Sequence, residues 1–429
     1  MKITDKIEVS PQEESILKKL NNFEDYKKEI ESHIGKDTTQ LIAALMGGGV
    51  FLGGSDIHLE PEETCTRLRL RMDGMLHDIM DFEPEAFRSM LSRLKLLSGL
   101  KLNVHDKPQD GSFSIVFKNL EIEIRVSSLP SEYGESIVMR ILNPQSLKNL
   151  EDLGLRPDLL ERFQAEIKKP NGMIIVTGPT GSGKTTTLYA FLKHIHQPEI
   201  KIITIEDPIE YRLNGISQTQ IDQKKGYTFA EGLRSIVRQD PDVILVGEIR
   251  DQETAEISLQ SALTGHLVFS TLHTNDAAGT IPRLTSLGAD PVNIGPAINM
   301  VIAQRLIRKV CQECRTVREA TPEEKEIIDR GLEGLPKDII PDRTNGYLVS
   351  EPKGCKVCNN TGYKGRVGIF ESFIIETQIE SMILHNPAIP DIKKTLKKSG
   401  FINMYQDGLI KVLNRETTIS EIVRVTKEN

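Results

Sequence analysis

Residues Gly178 to Thr185 read GPTGSGKT, three glycines closed by a lysine and a threonine. A loop of Gly178, Pro179, Thr180, Gly181, Ser182 and Gly183 can turn backbone N–H groups toward a phosphate, because glycine has no Cβ to hold the ligand off. In that pattern Lys184 reaches the β- and γ-phosphates of ATP, and Thr185 offers its hydroxyl to Mg2+. Thr186 follows in TTTLYAFLKHI, a helical run whose N-terminal dipole adds positive potential at the same place.

Hydrolysis also needs a carboxylate near the γ-phosphate, and in a parallel sheet it comes from the carboxyl ends of neighbouring strands. The run KIITI is followed by Glu206, Asp207 and Glu210, and DVILV by Gly247, Glu248 and Arg250. Glu248 is the expected group to orient or deprotonate the attacking water, with Glu206 and Glu210 helping to hold Mg2+ or water. Metal-holding strands commonly end in aspartate; here Gly247 and Glu248 stand at that end. His266 and His273 bracket LVFST. As a strand at about 3.3 Å per residue, that run puts its ends roughly 20 Å apart, so both histidines cannot meet the γ-phosphate. His273, at the carboxyl end, is the expected nucleotide sensor, and His266 a structural hydrogen-bonding residue.

Four of the five cysteines form two C-x-x-C pairs, Cys311 with Cys314 and Cys355 with Cys358, with 40 residues between the pairs. Each short spacing lets two thiolates converge on one ion, and four complete the closed sphere of a structural Zn2+. The intervening stretch is longer than in common zinc ribbons. Cys65 stands alone and is expected in the core.

The elements that position these residues follow from patterning. From Gly172, the apolar runs MIIVT, KIITI, DVILV and LVFST alternate with helical segments, the pattern of a buried parallel sheet with crossover helices. Between Asp56 and Leu142, alternating runs such as TRLRLRMDGML and LEIEIRVSSLP flank one helical stretch, EAFRSMLSRLKLLSGL, which reads as a small α+β domain. Residues 1 to about 40 are charged and read as a helical lead-in through Ile16, Leu17, Leu20, Phe23 and Tyr26. After the cysteines, IESMILHN, IKKTLKKSG and MYQDGLIKVLN read as short helices. At 429 residues the chain holds two or three domains. A net charge of −7, no Trp and 5% aromatics do not favour nucleic acid as the partner. No basic start with an apolar core and no run of about 18 apolar residues is present, and the cysteine usage fits a reducing compartment, so the cytoplasm is the expected location.

Together these residues resemble the hexameric secretion ATPases of type II secretion and type IV pilus assembly. The likeness is carried by Ser55 to Pro61 (SDIHLEP), RLRMDG from Arg69, PQDG from Pro108 and RVS from Arg125, then by the phosphate loop, TIEDPIEY from Thr204, RQDPDVILVGEIRD from Arg238 and TGHLVFSTLHTN from Thr264. It covers roughly residues 40 to 375. The resemblance implies a homohexamer in which ATP binds between a small N-terminal domain and a RecA-like P-loop NTPase domain. Arginines meet the phosphates there, at Arg125, Arg140, Arg234, Arg238 and Arg366 in this chain. A guanidinium supplied in trans can stabilise the transferring phosphoryl group.

The implied α/β architecture is a lead-in over 1–40, an N-terminal α+β domain over 41–150, a RecA-like domain over 151–310, a tetracysteine zinc insert over 311–360 and a C-terminal helical domain over 361–429. The zinc insert is shared with assembly ATPases and absent from retraction ATPases, which favours assembly or secretion. The implied partners are an inner-membrane platform protein and other secretion or pilus machinery, holding the enzyme peripherally at the inner membrane. Two departures stand out: Lys107 precedes PQDG where the family has arginine, and the 40 or so residues before the shared block are too short for the family's additional N-terminal docking domain. A RecA-like nucleic-acid translocase serving conjugation or DNA uptake is the alternative reading; a non-hydrolysing nucleotide switch is a second, opposed by the intact Lys184, Thr185 and Glu248.

Overall fold

A computed structural model describes residues 6–342, 344 and 346–426. The chain forms two compact units. One takes in the residues up to Ser146 together with Cys311–Cys314 and Pro352–Lys364; the other takes in Leu147–Val310, Arg315–Glu351 and the residues from Gly365 on.

The first unit runs β1 (Lys6–Glu8), α1 (Pro11–Leu17), α2 (Phe23–Glu31), α3 (Thr38–Phe51), β2 (Asp56–Pro61), β3 (Thr66–Met72), β4 (Met75–Phe82), α4 (Pro84–Leu97), β5 (Gln109–Phe117), β6 (Leu120–Ser131) and β7 (Gly134–Leu142). Its seven strands lie in the order β1-β5-β6-β7-β2-β3-β4. Strand alternation sorts the two faces. Ile57, Leu59, Leu68, Leu70, Ile122, Ile124, Ile137 and Met139 are buried with the helices, while Asp56, Arg71, Arg125 and Arg140 occupy the opposite pleat positions. The lead-in is not purely helical: β1 pairs parallel with β5, and the helical stretch breaks into α1 and α2, capped by Ser10 and Asn22. Between them and the sheet lies α3, buried throughout Leu41–Val50, as a helix apolar on all sides must be. Its glycines permit close approach: a Cβ on Gly48 would lie 2.4 Å from the Tyr26 ring.

The second unit runs α5 (Pro157–Glu166), β8 (Gly172–Thr177), α6 (Lys184–Ile195), β9 (Ile202–Glu206), β10 (Ser217–Gln220), α7 (Phe229–Val237), β11 (Val243–Val246), α8 (Gln252–Leu263), β12 (Leu267–Leu272), α9 (Thr280–Ser286), α10 (Pro291–Ala297) and β13 (Ile298–Val310). It continues through β14 (Thr316–Glu319), α11 (Pro322–Gly331), β15 (Leu348–Glu351), β16 (Tyr363–Ile374), α12 (Thr377–Ile383), α13 (Ile389–Lys398), α14 (Met404–Leu413) and α15 (Ile419–Thr426). The sheet order is β10-β9-β11-β12-β8-β13-β16, with β8 through β13 paired in parallel. Both faces are buried: Phe163, Tyr189 and Phe191 of α5 and α6 cover one, and Leu233, Ile236, Ala255 and Leu259 of α7 and α8 the other.

The structure departs from expectation in three further places. The two cysteine turns group with the first unit, whereas β14, α11 and β15 between them group with the second. The expected helical terminus starts with β16, which joins the large sheet because Val367 to Ser372 bury continuously along it. Cys65, expected in the core, is only half-buried in the β2–β3 turn, with Sγ 4.0 Å from Glu62. Among the described residues no helix is long and apolar enough to cross a membrane.

Candidate active site

The phosphate loop joins β8 to α6, as a strand-loop-helix site requires. Its crown, Pro179 to Gly181, is exposed, while its feet at Gly178 and Ser182 are buried. Gly178, Gly181 and Gly183 take φ of 143°, 79° and 88°, values that suit glycine. Thr185 and Thr186 are half-buried in the first turn of α6. Lys184 folds over the loop, its Nζ donating to the carbonyls of Gly178 at 2.8 Å and Pro179 at 3.3 Å.

Lys184 shares its surroundings with Glu248. Burial holds the Lys184 ammonium below the usual lysine pKa, and the Glu248 carboxylate works the other way. Glu248 lies just beyond β11 with its side chain 13% exposed; Arg250 Nη2 is 2.5 Å from its Oε1 and His273 Nε2 3.4 Å from its Oε2. Burial and the Lys184 charge push the His273 imidazole below its ordinary value, against the pull of Glu248. Residues after β8, β11 and β12 thus converge on one cation–carboxylate–imidazole cluster, the position a parallel sheet reserves for its ligand. His266, at the other end of β12, has Nδ1 3.0 Å from the Ser261 carbonyl, the structural place expected of it. Arg250 is the residue that motif reading underrated; its signal was the two-residue spacing from Glu248 in VGEIRD.

Glu206 sits differently. It is 3% exposed and accepts from the Tyr189 hydroxyl, from Thr204 Oγ1 at 2.6 Å and from Gln218 Nε2 at 3.2 Å. Burial raises its pKa despite these donors. Both oxygens are engaged in bracing α6, β9 and β10, and this placement gives no support to a metal-holding role. Glu210 is half-buried in the turn beyond β9, where the backbone N–H groups of Glu210 and Tyr211 reach the same Tyr189 hydroxyl.

The five arginines are divided between the two units. Arg234 pairs with Glu253 at 2.5 Å, and Arg238 donates to Ser235 Oγ at 3.3 Å, both exposed on or just after α7. Arg366 is exposed on β16. In the other unit Arg125 and Arg140 stand directly opposite in the β6–β7 register, Arg140 also facing Asp56 and donating to it at 3.0 Å. It is Arg250 that holds Glu248.

Cys311, Cys314, Cys355 and Cys358 bring their Sγ atoms within 4.8 Å of one another. Cys358 Sγ lies 3.8 Å from that of Cys314 and 3.7 Å from that of Cys355. Four thiolates about 2.3 Å from a tetrahedral ion stand about 3.8 Å apart, so the donor set fits Zn2+. Burial opposes the Cys358 thiolate, yet the N–H groups of Cys355 and Gly362, 3.2 and 3.3 Å from its sulfur, together with the Cys355 and Cys314 thiols, outweigh it and hold the pKa down to about 7.

Residues 36–424 match the family described as type II/IV secretion system protein. The chain belongs to that family. It is 38% identical to the type II secretion system ATPase E of Vibrio cholerae serotype O1 over 97% of this chain and 80% of that one. It is 43% identical to the type IV pilus assembly ATPase PilB of Pseudomonas aeruginosa over 88% of this chain and 65% of that one. The pilus retraction motor PilT, solved with bound ADP, superposes with a TM-score of 0.59 at 26% identity, covering 90% of this chain and 97% of that one. DotB of Legionella pneumophila shares the fold, with a TM-score of 0.65 at 20% identity over 90% and 95% of the two chains. The secretion family ATPase is thus reached from both the site and the comparisons.

Proposed function

We propose that this ATPase binds ATP with Mg2+ on residues 178–186 and hydrolyses it to drive assembly of pilin-like subunits, for type II secretion or a type IV pilus. The observation that carries the reading is the meeting of Lys184 of the phosphate loop with Glu248, His273 and Arg250 at the strand ends. Lys184 neutralises the β- and γ-phosphates, and the Thr185 hydroxyl holds Mg2+. Glu248 aligns or deprotonates the attacking water; His273, kept neutral, reports the γ-phosphate; and Arg250 orients the carboxylate.

Arg125, Arg140, Arg234, Arg238 and Arg366 complete the phosphate environment within a ring of six subunits. The paired register of Arg125 and Arg140 supports this by presenting two cations at one point of the sheet. Bound at the cysteine cluster, Zn2+ supplies a closed structural crosslink with no position for a substrate. In this reading the enzyme works at the cytoplasmic face of the inner membrane, against a platform protein; the relatives named as a secretion-system ATPase and a pilus assembly ATPase support the secretion or pilus role itself.

Purified Glu248→Gln protein tests the reading. It should retain ATP binding while losing at least about 100-fold in turnover, the scale of a general base's contribution. Turnover at the wild-type rate refutes the role given to Glu248.

A further inference from the structure

Strand β13 continues past Ala303, the partner of Thr177 at the end of β8, and runs on beside the phosphate loop. Gln304 is the first residue of that overhang and is 2% exposed. Its side chain turns to the face that Met300 and Ile302 share with α6, where Oε1 accepts from Thr187 Oγ1 at 2.6 Å. Two further polar atoms of the same residue meet the loop. Nε2 lies 2.8 Å from the place a Cβ on Gly183 would take, and the backbone oxygen 2.4 Å from that of Gly178. Gly178 and Gly183, at the two ends of the loop, therefore both rest on one buried residue of the neighbouring strand.

We propose that Gln304 is a positioning residue for nucleotide binding, a brace that holds Gly178 and Gly183 in the curvature by which the loop's N–H groups converge. The amide suits the place because it presents an acceptor to the Thr187 hydroxyl and a nitrogen to the loop. Leucine of similar size would bury that hydroxyl without a partner, and glutamate would set a carboxylate where phosphates must approach. The brace rests on the phosphate-loop reading, and acts by preorganising the loop before the ligand arrives.

The test uses the full chain with ATP and ADP, each with Mg2+, and measures dissociation constants by calorimetry alongside steady-state kinetics. Gln304→Leu should weaken binding of both nucleotides about tenfold, the scale of one orphaned buried hydroxyl, while kcat at saturating ATP stays within about threefold because Glu248 and His273 are untouched. Thr187→Val should weaken binding similarly and Thr187→Ser, which keeps the hydroxyl, should not. The Gln304→Leu/Thr187→Val pair should be no weaker than Gln304→Leu alone. If Gln304→Leu does not fold, the two Thr187 variants decide: weakening in Thr187→Val alone supports the brace, and equal affinity in both overturns it. Gln304→Leu with wild-type affinity also overturns it, as does a loss confined to kcat. Lys184→Ala separates the levels. If it still binds ATP, the phosphate-loop reading fails; if it loses ATP while Gln304→Leu binds normally, only the brace fails.

Discussion

Replacing Tyr189 with phenylalanine separates the two roles open to Glu206. The Tyr189 hydroxyl donates to Oε2, while Thr204 and Gln218 occupy Oε1. Phenylalanine fills the same space, so the change leaves a carboxylate that is 3% exposed short of one donor. A hydrogen bond to a charged group contributes about 1.5–3 kcal/mol, or about 10- to 150-fold in the local folding equilibrium. The pH dependence has a definite sign. Burial raises the Glu206 pKa above 4.5, so its contribution is fully present below that value and is lost as pH rises through the folded pKa. Removing a donor raises the folded pKa further. The Tyr189→Phe deficit should therefore be smallest near pH 4 and widen toward pH 8. Amide exchange of α6 and β9 measures the stability, and ATPase assays at graded Mg2+ measure the alternative. A variant of wild-type stability that needs severalfold more Mg2+ would place Glu206 at the metal and refute the brace.

In the first unit, Lys95 and Glu135 form an ion pair 1% and 3% exposed, with the carboxylate also receiving His105 and Ser128 at 2.7 and 2.8 Å. Glu135→Gln leaves a buried ammonium without its counter-charge and should cost about 3–5 kcal/mol in urea unfolding. Adding Lys95→Met should recover most of that loss, and no recovery would show that the charge was not the cause. At the cysteines, metal analysis should find close to one zinc per chain, falling near zero in Cys358→Ser; wild-type protein without zinc sinks the assignment.

Sequence reading reached the candidate site where chemistry and chain order coincide. The phosphate loop is contiguous, His273 follows β12 directly and Glu248 is the second residue past β11, so locating the strands placed these candidates. The apolar strands themselves were legible because both faces of a parallel sheet are buried. Other features depend on partners remote in sequence. Helix α3 carries Gly47, Gly48 and Gly49, whose missing side-chain space is occupied by Leu17, Tyr26 and Ile57. The three residues of β1 make a strand only because β5 lies beside them. Gln304 gives no local sign at all: its significance comes from Gly178, Gly183 and Thr187, more than a hundred residues away.

Glu206 shows what a strand-tip rule omits. Being last in a parallel strand places a carboxylate at the ligand's end of the sheet, but the pleat decides which layer it enters. Ile202, Thr204 and Glu206 share one face of β9, and Ile202 belongs to the core beneath Tyr189 and Phe191. Ile203 and Ile205 face the opposite core with Leu233 and Ile236. Because both faces are apolar, hydrophobic alternation could not reveal the side. Counting in twos from Thr204, whose hydroxyl needs a partner in a core, would have paired it with Glu206 and marked that carboxylate as an internal acceptor. Glu248, by contrast, is the second residue beyond β11, in step with Ile244 and Val246, which face the core opposite to that of Ile202. Its carboxylate lies against Arg250 and His273, so these two glutamates, each near a strand tip, enter different surroundings.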